Sequence, residues 1–78
     1  SGDFVVKEGL GITQLIQVCF DLSTEKALKR ELRGLLKAAG ELQCHNLLII
    51  TNTKEGEEEW SGETITFRPL WKWLLAGR

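Results

Sequence analysis

Three residues near the start of this chain differ in chemistry yet fall together if the first two strands pair as their spacing suggests. Asp3 is a carboxylate, Gln17 a carboxamide and Cys19 a thiol. Gly9-Leu10-Gly11 reads as a turn, because glycine tolerates positive φ. It separates a strand at Asp3–Glu8 from a second strand at Ile12–Phe20. A three-residue loop over Gly9–Gly11 sets Glu8 opposite Ile12, Val5 opposite Leu15 and Asp3 opposite Gln17. Opposed residues share a face with Cβ atoms about 5 Å apart. Cys19, two residues beyond Gln17, points the same way. A two-residue loop would shift every pair by one and undo the convergence. The converging set holds one full negative charge and no cation. Its carboxylate and amide oxygens are donors for a hard cation, whereas its thiol is soft and neutral at pH 7 unless its pKa is lowered.

Other residues invite chemical readings, each with a plainer alternative. Lys26, Arg30, Arg33 and Lys37 recur at i, i+4, i+7 and i+11, which gathers them on one side of a helix. Such a stripe could follow the phosphates of DNA or RNA. The plainer reading is a solvated face, with Glu25, Lys29 and Glu41 nearby and no aromatic interleaved. Glu55, Glu57, Glu58 and Glu59 lack ligand spacing and read as a solvated loop. Cys44 and His45 are adjacent, so in a strand they point to opposite faces and make a poor metal pair. Ser23, Ser61 and the threonines fall into no Ser/His/Asp arrangement. Trp71 and Trp73 are interface candidates, since tryptophan is enriched at binding hot spots. Trp71 shares helical spacing with Leu74 and Leu75, which favours core packing. Trp73 lies on another side of the same short helix.

The elements that position these residues follow from periodicity. Ile12–Phe20 is apolar on both faces, with Ile16, Val18 and Phe20 on one and Leu15 and Cys19 on the other. A strand of that kind is covered on both sides. Asp21-Leu22-Ser23 breaks it, and Ser23 suits a helix N-cap. From Thr24 to about Leu42 the period becomes helical, with Leu28, Leu32, Leu35, Leu36 and Ala39 forming the buried stripe. Asn46–Thr51 reads as a third strand, returning parallel to the one before the helix. Asn52–Ser61 reads as a polar loop and Glu63–Arg68 as a fourth strand. Pro69 suits the start of a short helix over Leu70–Leu75. The expected fold is α/β, with a small mixed sheet, a β-hairpin, one crossover helix and a short C-terminal helix.

At 78 residues the chain is one domain, 1–78, burying roughly 60–65% of its unfolded surface. With 42% hydrophobic and 27% charged residues it belongs with globular folds, and a net charge of −1 argues against a strongly basic nucleic-acid binder. Cys19 and Cys44 form no CxxC and sit in or beside apolar runs. Buried free thiols of that kind fit a reducing, cytoplasmic setting. No apolar run nears the ~20 residues that span a bilayer, so no membrane partner is expected. The chain contains no methionine, which suggests a piece excised from a longer protein.

Five stretches carry a resemblance. They are Asp3-Phe4-Val5-Val6, Ile16-Gln17-Val18-Cys19-Phe20, Arg30-Glu31-Leu32, Leu48-Ile49-Ile50-Thr51 and Pro69-Leu70-Trp71-Lys72-Trp73-Leu74-Leu75. From Asp3 to Leu75 the chain resembles the C-terminal domain, of unknown function, of a group of prokaryotic AAA-type ATPases. That domain is similar to PD-(D/E)XK nucleases, so the resemblance implies a trimmed restriction-endonuclease-like core. It also implies an upstream ATPase domain in the same chain, which would bind ATP. No GxxxxGK[ST] loop is present here. On this resemblance Asp3 matches the nuclease aspartate, a Mg²⁺ ligand. Gln17 stands where the second carboxylate would be, and Cys19 where the catalytic lysine would be.

Those departures have chemical consequences. Mg²⁺ takes hard oxygen ligands, and an amide carbonyl brings neither charge nor a proton acceptor. A neutral thiol cannot act as a point charge beside a phosphate. The expectation is therefore a non-catalytic accessory domain with a degenerate site, contacting the ATPase domain, another protein or DNA. The alternative is a Mg²⁺-dependent nuclease completed by residues elsewhere, and a third reading is a purely structural or oligomerisation module.

Overall fold

A computed structural model describes residues 2–9 and 11–77, and for residues 2–4 it describes the backbone alone. Seven elements follow one another: β1 (Gly2–Glu8), β2 (Gly11–Val18), α1 (Glu25–Leu42), β3 (Leu47–Thr51), β4 (Gly56–Trp60), β5 (Glu63–Pro69) and α2 (Leu70–Leu75). They form one mixed five-stranded sheet in the order β1-β2-β3-β5-β4. The fold is thus α/β, with the expected hairpin, crossover helix and short C-terminal helix. Among the described residues, no helix is long and apolar enough to cross a membrane.

The central strand explains the layering. β3 is Leu47-Leu48-Ile49-Ile50-Thr51, and all five residues are buried. It lies parallel to β2 on one side and to β5 on the other. Parallel strands buried on both faces read as continuous apolar runs. On one face Leu15, Leu47, Ile49, Ile65 and Phe67 meet Leu32, Leu35 and Ala39 of α1. On the other, Ile16, Leu48 and Ile50 form a smaller cluster, with Val18 and Trp73 packed against it.

The hairpin reaches its register by an unexpected route. Glu8 pairs with Gly11, so the loop has two residues rather than three. Lys7 pairs with Ile12 but Val6 with Gln14, which leaves Thr13 as one extra residue on β2. This β-bulge absorbs the one-residue offset. Beyond it the pairs are Val5 with Leu15 and Asp3 with Gln17, as the longer loop would have given. The Thr13 side chain steadies the bulge by donating to the Val6 carbonyl at 3.2 Å.

Other boundaries differ for local reasons. Phe20 lies outside β2 and is 53% exposed. The N-cap of α1 is Thr24, whose Oγ1 accepts from the Ala27 N–H at 3.0 Å. Ser23 instead donates its hydroxyl to Asp21 Oδ1 at 2.8 Å. α1 ends at Gln43, which takes the left-handed conformation at φ 53°. The segment expected as a polar loop, Asn52–Ser61, contains β4, antiparallel to β5. A two-residue turn of Ser61 (φ 52°) and Gly62 (φ 80°) joins the two strands. Positive φ at both positions matches the right-handed twist of a tight hairpin.

Candidate functional site

The hairpin and α1 bring the candidate site together. Asp3 and Gln17 are direct cross-strand partners, and the Asp3 side chain lies outside the described part of the structure. Gln17 is 6% exposed and faces α1, on the same side of the sheet as Leu15 and Cys19. There it meets Glu31, 9% exposed, and donates an Nε2 hydrogen to Glu31 Oε1. The other carboxylate oxygen of Glu31 lies 3.8 Å from Arg30 Nε. One Glu31 oxygen thus accepts a hydrogen bond and the other faces a guanidinium at ion-pair distance, which offsets part of the cost of burying a carboxylate. The site thus includes a second carboxylate that Asp3, Gln17 and Cys19 alone do not reveal. Its signal was present in the sequence: Glu31 occupies the buried arc of α1, beside Leu28, Leu32 and Leu35, where a charged residue is out of place.

Cys19 follows the end of β2. Its N–H donates to the Ile50 carbonyl at 2.9 Å, and its thiol contacts the Asp21 carbonyl at 3.6 Å. Burial is the main reason its pKa is raised, and the Glu31 charge pushes in the same direction. The thiol is consequently neutral around pH 7 and cannot act as a cation or a thiolate there.

Among the described side chains, Gln17, Glu31 and Cys19 make a poor donor set for the Mg²⁺ ion that the nuclease resemblance implies. The Gln17 amide presents its NH₂ end to Glu31, one Glu31 oxygen accepts that bond, and Cys19 is soft and protonated. Among the described residues, no three His, Cys, Asp or Glu side chains group closely enough to hold a metal ion.

The remaining candidates are dispersed. Lys26, Arg30, Arg33 and Lys37 are all exposed on α1, away from its buried stripe. Arg30 alone reaches the hairpin site, through Glu31. Cys44 is buried, and His45 turns outward to place Nδ1 2.9 Å from Glu63 Oε2. Glu58 accepts from Lys54 at 2.8 Å and from Trp60 Nε1 at 2.9 Å, which together hold its carboxyl below the ordinary range. Trp71, Leu74 and Leu75 are exposed at 56%, 52% and 79%, so this side of α2 is not core. Trp73, on the other side, packs against Ile16, Leu48 and Ile50.

Two cavities open on the surface. One, of about 210 Å³, opens between the β2–α1 and β3–β4 connections and is lined by Asp21, Ser23, Asn52 and Lys54 among others. It sits beyond the carboxyl ends of parallel strands, a common ligand position in open α/β sheets. The larger, of about 540 Å³, runs along the sheet face opposite α1 between Val6, Ile16, Val18, Ile50, Leu70 and Trp73. No known protein family, curated protein or solved structure matches the chain.

Proposed function

We propose that this domain is a non-catalytic contact module with a degenerate nuclease-like site. On the resemblance to AAA-type ATPase C-terminal domains, its partner is an ATP-binding domain of a longer chain. The observation that carries the contact reading is the apolar groove opposite α1. Its walls are Val6, Gln14, Ile16, Val18, Ile50, Leu70 and Trp73, and its floor is the smaller of the two apolar clusters. Trp73 of α2 packs against that cluster. An apolar concavity of this size fits a protein surface better than the backbone of a nucleic acid, which takes charge.

The degenerate-site half of the proposal rests on Glu31. Its carboxylate is held by Gln17 and Arg30 inside the fold, in the manner of a structural buried group. The test of the contact reading is to add charge at the groove's rim with Val6→Glu and Leu70→Glu, both at exposed positions. Binding to a separately produced ATPase domain, followed by calorimetry, should weaken at least roughly tenfold, as expected for a charge introduced into a desolvated apolar contact. Unchanged affinity would remove the groove from the interface.

One observation favours the second reading, a divalent-metal nuclease: Glu31 stands beside Gln17, at the level where Asp3 pairs across the hairpin. Metal-dependent cleavage of DNA or RNA, lost in both Asp3→Ala and Glu31→Gln, would establish that reading and overturn the first.

A further inference from the structure

The two edges of the sheet are unlike. β4 forms one, and its Glu57 and Glu59 are exposed. Charged edge residues of this kind oppose the addition of another strand. β1 forms the other edge, and there Val5 and Val6 are 45% and 37% exposed, one toward each face of the sheet.

The direction of the β1 backbone follows from its neighbour. The N–H groups of Leu15 and Cys19 donate to the carbonyls of Asn46 and Ile50. Residues 15, 17 and 19 therefore turn their backbone groups toward β3, and residues 14, 16 and 18 turn theirs toward β1. The partners of Gln14, Ile16 and Val18 are Val6, Phe4 and Gly2. These three turn inward, as the bond from Thr13 to the Val6 carbonyl also requires. Asp3, Val5 and Lys7 alternate with them, so their N–H and C=O groups face the open edge.

Those three residues are negative, apolar and positive, evenly spaced about Val5. A second β1 laid antiparallel on a two-fold axis at Val5 sets Val5 against Val5. It also sets Asp3 of each copy against Lys7 of the other. Slipping the pair by one residue puts Asp3 opposite Glu8 and turns outward backbone groups against inward ones. Slipping by two residues in either direction matches a charged residue with Val5. One register alone satisfies both the backbone and the charges.

We propose that the chain self-associates through β1, as a two-fold antiparallel strand pair that joins two five-stranded sheets into one. The contact is isologous, each copy offering the same strand. It is smaller than the roughly 1,200–2,000 Å² of a standard stable interface, so the dimer is weak and forms with rising concentration.

Sedimentation equilibrium over a concentration series up to the millimolar range tests this. The wild-type mass should climb from one chain toward two. Val5→Pro removes an N–H that no strand within the chain uses, a substitution an edge strand tolerates. It should weaken the dimer by roughly tenfold or more, through loss of the mutual Val5 bonds. Lys7→Asp, which sets two like-charge pairs across the axis, should weaken it by a similar factor, and Asp3→Lys combined with Lys7→Asp should restore it. Circular dichroism of each variant checks the fold, and the charge-swap series decides the matter if the proline variant unfolds. A wild-type chain that stays monomeric throughout overturns the proposal. So does a dimer whose affinity the charge swaps leave unchanged.

Discussion

Replacing Gln17 by leucine should cost stability chiefly through the residue left behind. Glu31 is buried and keeps Gln17 Nε2 as its direct hydrogen-bond donor, with Arg30 more distant at 3.8 Å. A hydrogen bond to a charged group contributes about 1.5–3 kcal/mol. Stripping the partner from a buried charge costs roughly 3–5 kcal/mol when nothing else compensates. Arg30 compensates in part, which puts Gln17→Leu at about 2–3 kcal/mol. Glu31→Leu alone leaves the Gln17 amide unpaired and should cost about 1–3 kcal/mol. With both replaced, no polar group is stranded, and the double variant should fall within about 1 kcal/mol of wild type. Urea unfolding followed by far-ultraviolet circular dichroism gives all three values, provided that the denaturant slope is unchanged. The cycle should then return a coupling of about 2–6 kcal/mol. Additive single effects would mean that the two side chains do not hold one another, and the structural account of Glu31 would fail.

Three further outcomes follow from particular residues. Gln43 ends α1 in the left-handed region, which costs a residue with a Cβ roughly 1 kcal/mol, so Gln43→Gly should raise the urea midpoint. Lys54 and Trp60 hold the Glu58 carboxyl below the ordinary range. The stability this gives is present above the unfolded carboxylate pKa and is lost as pH falls through the lower, folded value. Acid titration of wild type against Glu58→Gln should therefore show a shallower loss of stability in the variant; parallel curves would dismiss the pair. The Cys19 thiol is raised by burial, so alkylation near neutral pH should be slow in the native protein and fast in urea. A native rate matching a free thiol would contradict its placement.

Much of the fold was legible because burial imposes patterns. β3 is a run of apolar residues because it is covered on both faces, and the stripe from Leu28 to Ala39 marks the covered side of α1. β4 escaped because Gly56-Glu57-Glu58-Glu59-Trp60 lacks strand-like composition. An edge strand with one exposed face needs none, and the clue lay in the Ser61-Gly62 pair that follows. The register of Asp3 with Gln17 was reached through a loop one residue too long, and the bulge at Thr13 made up the difference. Bulges leave little trace in a single sequence. Glu31 was the missed member of the site, because a charge on a buried helical arc is visible only when the arc is drawn residue by residue. Trp71 followed helical spacing with Leu74 and Leu75, yet a six-residue helix at the sheet's end buries only one side, and Trp73 took it.

Whether the hairpin site is inert is decided by a magnesium and manganese titration of the ¹⁵N-labelled domain, read at the Gln17 side-chain amide and the Glu31 backbone and paired with a cleavage assay on DNA and RNA. No saturable shift is expected at either position, and no cleavage above that of the Asp3→Ala variant. A saturable shift at Gln17 and Glu31, accompanied by cleavage that Asp3→Ala abolishes, would contradict that inertness.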